Sequence, residues 1–266
     1  MRCCLIISLC SLLVLTNSCN KQEYSQTMIL GHAGAGLDNP ASLFPDNSLE
    51  AVQFALSHNG CDGVELDLRF SSDGTAWLFH DSELAERTTG EGCIESSSDD
   101  YLSSLQYTHM NSTKLIRLSD LPNDLIASKK IHLDIKHTND CGIEVDSTVM
   151  LQELIEFKEL NPNSELVLYH HLDSWVDYFL NKAFNVFAYV ADVEDGNSAI
   201  NQHPNMKGLV IDHDDISGAE VENWQNQGLE VAIFGLRSSK STRKVLSKSP
   251  NYLLTDDVKV AIREKY

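Results

Sequence analysis

Apolar, β-branched stretches alternate with helix-like stretches along most of the chain. Stretches with strand character lie at 28–32, 63–69, 75–80, 131–136, 166–169, 186–190, 208–211, 230–234 and 252–254, and helical patterns lie at 48–58, 145–160 and 174–182. Strands that alternate with helices predict parallel βαβ units. Because the chain carries no nucleotide-binding fingerprint, eight or nine such strands favour an α/β fold of the (β/α)8 TIM-barrel type over an open sheet.

Two local patterns refine this prediction. Asn47 and Glu50 have the spacing of a capping box, which predicts that the first helix begins after Asn47. The stretch 82–130 is long, polar and rich in serine and threonine, and it follows the third strand. We interpret it as an insertion or lid beside the functional site.

The amino terminus has the pattern of an export signal. A positive Met1-Arg2 start and a short apolar run at 3–15 precede Thr16-Asn17-Ser18-Cys19, which resembles a bacterial lipoprotein cleavage site. The apolar run is shorter than the about 20 residues that span a bilayer. We therefore expect a signal peptide at 1–19 ending at a lipidated Cys19, a tether at 20–27 and a single barrel domain at 28–266. The alternative is ordinary secretion, with Cys19 incidental.

This leader implies a bacterial cell-envelope protein held to the membrane through Cys19, facing either the periplasm or the outside. Of seven cysteines, three remain in the folded part, and an odd number permits at most one intramolecular bridge. Cys61 has the setting of a buried free thiol, and Cys93 with Cys141 is a possible disulfide. A net charge of -19 disfavours nucleic acid and electrostatic docking on anionic lipid, and no protein partner is implied.

The candidate chemistry begins with Glu65 and Asp67. Strand side chains alternate between faces, so residues two apart point the same way. Two carboxylates on one buried face repel each other unless a cation lies between them, and hard divalent ions prefer oxygen ligands. His32 and His80, placed before and after this pair, can supply acid/base chemistry near neutral pH. The pattern indicates a phosphoester site assisted by one divalent cation, Ca²⁺ or Mg²⁺.

Further polar residues lie at or just past predicted strand ends, where barrel enzymes carry their functional groups. They are His32, His80, Lys136, His170 and Asp256. Because neighbouring strand residues face opposite ways, at most one of His170 and His171 can point into the barrel. The acidic run 212–215 is better interpreted as a solvated loop than as a second metal site.

Several short motifs occur in a set order: Gly-His-Ala-Gly at 31–34, Pro-Asp-Asn-Ser at 45–48, Gly-Val-Glu-Leu-Asp at 63–67 and His-Asp at 80–81. Weaker motifs follow in the same order at 88–90, 116–121, 134–136 and 254–256. The ordered set resembles the glycerophosphodiester phosphodiesterase family over most of the chain after the leader. That resemblance implies hydrolysis of glycerophosphodiesters to glycerol phosphate and an alcohol.

Residue by residue, the resemblance makes Glu65, Asp67 and Asp134 the metal ligands. It makes His32 and His80 the acid/base pair and Lys136 a phosphate contact. Asp134 and Lys136 share one strand face, so their groups are expected to converge on the same centre.

The chain departs from the family pattern in three places. Ala33 stands where the family usually has arginine, and alanine cannot replace a bidentate phosphate reader. Asp46 and Asp134 each stand where glutamate is usual. Lys136 or Arg69, which shares the strand parity of Glu65 and Asp67, is expected to supply part of the missing charge, so Lys136, Asp46 and Arg69 form the predicted substrate-binding set.

Two alternatives remain open at this point. A Glu/Asp/Asp ligand set also resembles the phospholipase D-type lyases of the sphingomyelinase D family, which act on lipid head groups. A catalytically weak binding lipoprotein of the same fold is the other alternative, with Ala33 as its reason. One observation argues against a binder, namely the joint presence of His32, His80, Glu65 and Asp67. A site without catalytic activity does not need acid/base histidines together with carboxylate ligands.

Overall fold

Eight parallel strands close into a barrel in the computed structural model, which describes residues 26–37, 42–109, 112–162, 165–171 and 174–266. The strands are β1 (Met28–Gly31), β2 (Gly63–Phe70), β3 (Ala76–Leu78), β4 (Lys130–Ile135), β5 (Glu165–His171), β6 (Asn185–Tyr189), β7 (Gly208–Asp212), β8 (Glu230–Leu236) and β9 (Tyr252–Thr255). Neighbours follow the order β1-β9-β8-β7-β6-β5-β4-β2, and the pairing of β1 with β2 closes the ring. The predicted (β/α)8 barrel is confirmed.

The third strand does not belong to this ring. β3 pairs antiparallel with the end of β2, so β2 and β3 form a hairpin at the barrel edge. The insertion follows β3, as predicted, and the chain re-enters the barrel at β4. This arrangement carries the residues after β3 to the mouth of the barrel.

Helices cover the outside of the barrel. They are α1 (Leu49–Leu56), α2 (Asp99–Ser104), α3 (Asn123–Ile126), α4 (Ser147–Leu160), α5 (Ser174–Leu180), α6 (Val193–Gln202), α7 (Gly218–Asn226), α8 (Ser239–Leu246) and α9 (Val258–Lys265). Of these, α2 and α3 lie in the insertion. No helix in the described ranges is long and apolar enough to cross a membrane. The predicted signal peptide and nearly all of the predicted tether lie outside the described residues.

The start of α1 differs from the sequence prediction. Ser48 is the N-cap, and its hydroxyl accepts a hydrogen bond from the backbone N–H of Ala51. Asn47 adopts a left-handed φ of 57° instead, so its prediction as the capping residue is wrong. Its side-chain amide donates to Asp67 Oδ2 at 2.8 Å and accepts from the Asp67 N–H at 2.9 Å. Asn47 therefore orients an inward-facing carboxylate rather than the helix.

The barrel interior is filled by side chains from alternate strand positions. Its apolar members are Leu30, Val167, Tyr169, Phe187, Val210, Ala232, Tyr252 and Leu254. His132 of β4 lies among them, with its Nδ1 hydrogen-bonded to the Tyr169 hydroxyl. Burial lowers the pKa of His132 to about 3, so this imidazole is neutral. It is a packed interior group below the mouth.

A disulfide between Cys93 and Cys141 ties the insertion to the loop between β4 and α4. Cys61 is buried and free. One bridge among three cysteines agrees with the count from sequence. The bridge holds the insertion to the loop that follows β4, the strand that carries Asp134.

We expect the Cys93→Ser/Cys141→Ser double variant to lose about 2–4 kcal/mol of unfolding free energy, because a crosslink over 48 residues restricts the unfolded chain. Urea unfolding of the two proteins measures the difference. Reductant should bring the wild type to the stability of the variant and leave the variant unchanged. Coincident unfolding curves without reductant would contradict this expectation.

Candidate active site

Six of the eight predicted site side chains meet at the carboxyl-terminal mouth of the barrel. They are His32 after β1, Glu65 and Asp67 in β2, His80 after β3, Asp134 in β4 and Lys136 after β4. All six line one pocket of about 170 Å³. Tyr169, Tyr189 and Phe234 supply aromatic surface to the same pocket.

Strand register brings the three carboxylates together. β2 and β4 pair so that Asp67 lies opposite Asp134, and Glu65 lies two residues deeper on the same face. Ligand atoms of all three residues lie within 4.8 Å of one another, and all three residues are buried. Such a cluster of hard oxygen donors is suited to a divalent cation.

Lys136 supplies the positive charge in this cluster. Its Nζ lies 2.6 Å from Asp134 Oδ2 and 3.1 Å from Asp67 Oδ1. Asp134 Oδ1 is buried and has no hydrogen-bond partner in the described ranges. A buried oxygen with no donor, beside two further carboxylates, fits a metal ligand, because an unpaired buried acceptor is otherwise costly.

The electrostatics follow from burial and crowding. Burial, with the charge of Asp67 next, raises the pKa of Glu65 to about 8. Burial acts in the same direction on Asp67, but Lys136 and His80 outweigh it and lower the pKa of that carboxyl. Burial opposes the charge on Lys136, yet Asp67 and Asp134 raise the pKa of its ammonium group. Crowded carboxylates of this kind favour a neighbouring positive charge, which Lys136 supplies in this structure.

His32 is held from both sides. Its Nδ1 lies 2.8 Å from Asp256 Oδ1, and its Nε2 lies 3.8 Å from Glu65 Oε2. Burial alone would lower the pKa of His32, but the hydrogen bond to Asp256 and the charge of Glu65 raise it to about 9. Asp256 also accepts from the Leu37 N–H at 3.1 Å. Asp256 thus fixes the ring orientation of His32.

The loop that carries His32 requires close backbone packing. A Cβ on Gly31 would lie only 1.9 Å from the Gly34 carbonyl oxygen. Ala33 has a left-handed φ of 46° and is fully buried, and its N–H donates to Glu65 Oε2 at 2.9 Å. Ala33 therefore contributes a backbone donor to the site and no charge.

His80 has its own carboxylate. Its Nδ1 lies 2.7 Å from Asp81 Oδ1, and this hydrogen bond raises the pKa of His80. The same bond lowers the pKa of Asp81 to about 2. Arg87 of the insertion donates from Nε to Asp81 Oδ2 at 2.8 Å. Each histidine therefore has Nδ1 engaged by a carboxylate, the arrangement that fixes which ring nitrogen serves as acid or base.

Sequence reasoning missed Arg87 and assigned no role to Asp256. Asp256 lies 224 residues from His32, and its only signals were its position at a strand end and a weak motif echo. Arg87 lies in the stretch interpreted as a lid. Neither contact follows from local spacing.

Arg69 and Asp46 do not line this pocket. The Arg69 guanidinium donates from Nε to the His80 carbonyl at 2.9 Å and from Nη1 to Glu95 Oε1 at 2.7 Å. These contacts hold the Arg69 guanidinium against the backbone of His80, outside the pocket. Asp46 accepts from Arg87 Nη1 at 3.1 Å and lines a neighbouring cavity. Their substrate-binding roles stay predictions.

A second group of possible ligand atoms belongs to Asp212, His213 and Asp214. Asp214 is exposed and accepts a hydrogen bond from Lys244 Nζ at 2.9 Å. The solvated-loop interpretation stays our prediction for this run. The side chain of His170 lies outside what the structure describes.

Replacing Lys136 with methionine is expected to lower phosphodiester turnover at least about tenfold, because a charged contact to the phosphate is lost. It is also expected to tighten divalent ion binding, because the competing ammonium group is gone. Steady-state kinetics and calorimetric titration measure the two effects. Lys130→Met, which removes a lysine outside the pocket, is the matched control. Unchanged turnover would remove Lys136 from the mechanism.

The fold and the site together define a class: barrel enzymes that cleave phosphoric diesters. The family model for the Glycerophosphoryl diester phosphodiesterase family matches residues 32–260. The chain therefore belongs to the glycerophosphoryl diester phosphodiesterase family, whose members are phosphoric diester hydrolases.

Individual relatives agree with this assignment. A Bacillus altitudinis protein named glycerophosphodiester phosphodiesterase is 23% identical over 240 residues, which are 84% of this chain and 94% of that protein. A putative glycerophosphoryl diester phosphodiesterase from Agrobacterium tumefaciens superposes with a TM-score of 0.76 at 16% identity, covering 90% of this chain and 97% of its own. An Oleispira antarctica phosphodiesterase, solved with its product sn-glycerol-3-phosphate, gives 0.76 at 17% identity, covering 90% and 96%. These structural matches show the shared fold.

Proposed function

We propose that this protein hydrolyses glycerophosphodiesters to glycerol phosphate and an alcohol, with one divalent cation, Ca²⁺ or Mg²⁺. The observation that carries the proposal is the pair of histidines, each held at Nδ1 by its own carboxylate, beside three converging carboxylates. Family membership supports the same reaction class. The product bound to the Oleispira antarctica relative supports a glycerol phosphate product.

The chain's own residues divide the work. One histidine accepts the proton of the attacking hydroxyl, and the other protonates the departing alkoxide. The attacking hydroxyl belongs to water or to the adjacent glycerol carbon, and in the second case water opens the resulting cyclic phosphate in a further step. Asp256 and Asp81 keep the two rings in fixed orientations. Lys136, at the centre of the acidic cluster, lies where an ammonium group can contact a phosphoryl oxygen.

Glu65, Asp67 and Asp134 would hold the divalent ion. When bound, such an ion neutralises charge on the phosphoryl oxygens by Lewis acidity. Their oxygen-only chemistry supports this assignment, as does Asp134 Oδ1, which has no hydrogen-bond partner from any described residue.

A second candidate function is a phospholipase D-like, sphingomyelinase D-type lyase acting on lipid head groups. It is favoured by one observation, the shorter aspartate at 134 that completes a Glu/Asp/Asp set. A lipid-directed enzyme would need substrate in vesicles or micelles, whereas a glycerophosphodiesterase acts on dissolved substrate. A catalytically weak binder of the same fold is the remaining alternative.

The deciding experiment incubates the full chain in mild detergent with glycerophosphocholine, glycerophosphoethanolamine and glycerophosphoglycerol, and separately with sphingomyelin and lysophosphatidylcholine micelles. Glycerol phosphate release from the dissolved diesters, lost with chelator and restored by Ca²⁺ or Mg²⁺, is the expected result. Choline release from the lipids alone, with a cyclic phosphate left on the lipid, would favour the lyase. No release from either set, with intact ion binding, would favour the binder.

We also propose that the protein is a lipoprotein of the bacterial cell envelope, anchored through Cys19 and facing the periplasm or the outside. The pattern of residues 1–19 supports this proposal. Mass spectrometry of the mature protein would test it, because a diacylglyceryl group on Cys19 as the first residue is the expected modification.

A further inference from the structure

A second cavity of about 540 Å³ lies beside the catalytic pocket. One side of its wall comes from the segment between β1 and α1, including Gly36, Phe44 and Asp46. The other side comes from the insertion after β3, including Glu86, Arg87 and Tyr107. The proposed reaction assigns no role to this cavity.

The cavity adjoins the catalytic residues through three links. Gly36 lines the cavity, and the next residue, Leu37, lines the catalytic pocket. Asp46 precedes Asn47, whose amide holds Asp67. Arg87 contacts Asp81, which holds His80. A substrate bound at the carboxylate cluster therefore has the cavity as its neighbour on the His80 side.

The two volumes suggest how a diester is divided between them. The catalytic pocket, at about 170 Å³, is a small space that suits glycerol phosphate. The second alcohol of the diester must lie outside that space. The larger cavity is open to solvent and adjacent, so it can receive this alcohol without a rearrangement of the barrel.

The wall has the chemistry of a cation site. Phe44 and Tyr107 contribute aromatic rings, and Glu86 contributes an exposed carboxylate. The charge of Arg87 is offset by its contacts with Asp46 and Asp81. Carboxylates and aromatic faces together attract alkylammonium groups, by charge and by cation–π attraction.

Tyr107 adds an independent sign of a ligand. The residue is only 2% exposed and lines the cavity, and its hydroxyl has no hydrogen-bond partner among the residues that the structure describes. An unpaired buried hydroxyl carries a desolvation cost that a bound polar group would remove. The alcohol oxygen or the phosphate ester oxygen of a substrate is such a group.

We propose that this cavity, formed by the Phe44 segment and the insertion, binds the alcohol half of the diester and selects alcohols that carry an ammonium group. The inference rests on the proposed glycerophosphodiester hydrolysis and extends it to substrate choice. Amino alcohols such as choline and ethanolamine have the chemistry that this wall recognises. Neutral polyols lack it.

The test measures kcat/KM of the full chain for glycerophosphocholine and for glycerophosphoglycerol, whose alcohols are cationic and neutral. The wild type should prefer the choline ester about tenfold or more. Glu86→Gln and Phe44→Leu should each reduce that preference several-fold, on the order of the loss of one such contact. Glu83→Gln is the matched control, because Glu83 is an exposed glutamate of the same insertion that does not line the cavity.

Tyr107→Phe gives a second readout. Within the described part of the chain the hydroxyl has no hydrogen-bond partner, so its removal should leave thermal stability unchanged. We expect KM for glycerophosphocholine to rise about threefold to tenfold, the effect of one hydrogen bond to the ligand. A purely structural role would not produce this combination.

The outcomes separate the inference from the function on which it rests. Equal kcat/KM for the two diesters, or a preference that Glu86→Gln and Phe44→Leu leave intact, overturns the subsite while hydrolysis itself stands. No hydrolysis of either diester overturns the proposed function. A preference that falls in both variants and not in Glu83→Gln supports the subsite.

Discussion

Turnover of a soluble glycerophosphodiester is expected to fall about 10³-fold in the His32→Gln variant. Glutamine keeps a polar side chain of similar size but cannot exchange a proton at Nε2. The His32 ring is fixed by Asp256 and approaches Glu65, so the lost group lies beside the carboxylate cluster. Initial rates under saturating substrate measure the effect directly.

His58→Gln is the matched control for that variant. His58 lies two residues past the end of α1, with its Nδ1 at 2.7 Å from the Phe54 carbonyl oxygen, and it does not line the pocket. Its replacement should leave turnover within about twofold, as for a residue outside the reacting centre. Comparable rates in His32→Gln and His58→Gln would exclude His32 as an acid or base.

Removal of divalent ions should have an effect of similar size. Chelation is expected to abolish turnover, and the Asp67→Asn variant is expected to bind Ca²⁺ or Mg²⁺ at least about 100-fold more weakly, because it loses a charged ligand. Asp67 is central to the cluster, with contacts to both Lys136 and Asn47. Calorimetric titration reports ion binding without relying on activity.

Asp214→Asn is the control for ion binding, since Asp214 belongs to the exposed acidic run. If the ion binds at the barrel mouth, this variant should titrate as the wild type does. If instead Asp214→Asn loses affinity and Asp67→Asn does not, the ion belongs to the loop after β7 and the proposed ligand set fails. Protection from thermal unfolding by added ion gives a second measure, about 2.7 kcal/mol at 100 times the dissociation constant.

Local sequence patterns predicted the strands, the paired carboxylates and the family. Apolar, β-branched runs predicted the strands, and their alternation with helix-like stretches predicted the parallel barrel. The strand period of two placed Glu65 and Asp67 on one face, and the structure places both in the pocket. Ordered motifs indicated the family, which the family match confirms.

These local patterns did not predict contacts between residues that are distant in sequence. Arg69 has the parity of Glu65 and Asp67, yet Glu95 of the insertion and the His80 carbonyl engage its guanidinium away from the pocket. Asn47 has the spacing of a helix cap, yet its amide holds Asp67. In each case a partner distant in sequence competes with the local preference, and its position is set by packing.

The sequence by itself determined the periodicity of the strands and helices, the family of the protein, and the inward orientation of the Glu65 and Asp67 carboxylates. Each of these depends on residue type and on spacing within one element. Only the tertiary structure decided three further features. Asp256 orients His32, Arg87 donates a hydrogen bond to Asp81, and the insertion forms part of a second cavity beside His80. Barrel closure sets β1 beside β9, and the β2–β3 hairpin sets where the insertion begins. The His32–Asp256 contact joins residues 224 apart in the chain, and local spacing carries no information about which distant groups will meet.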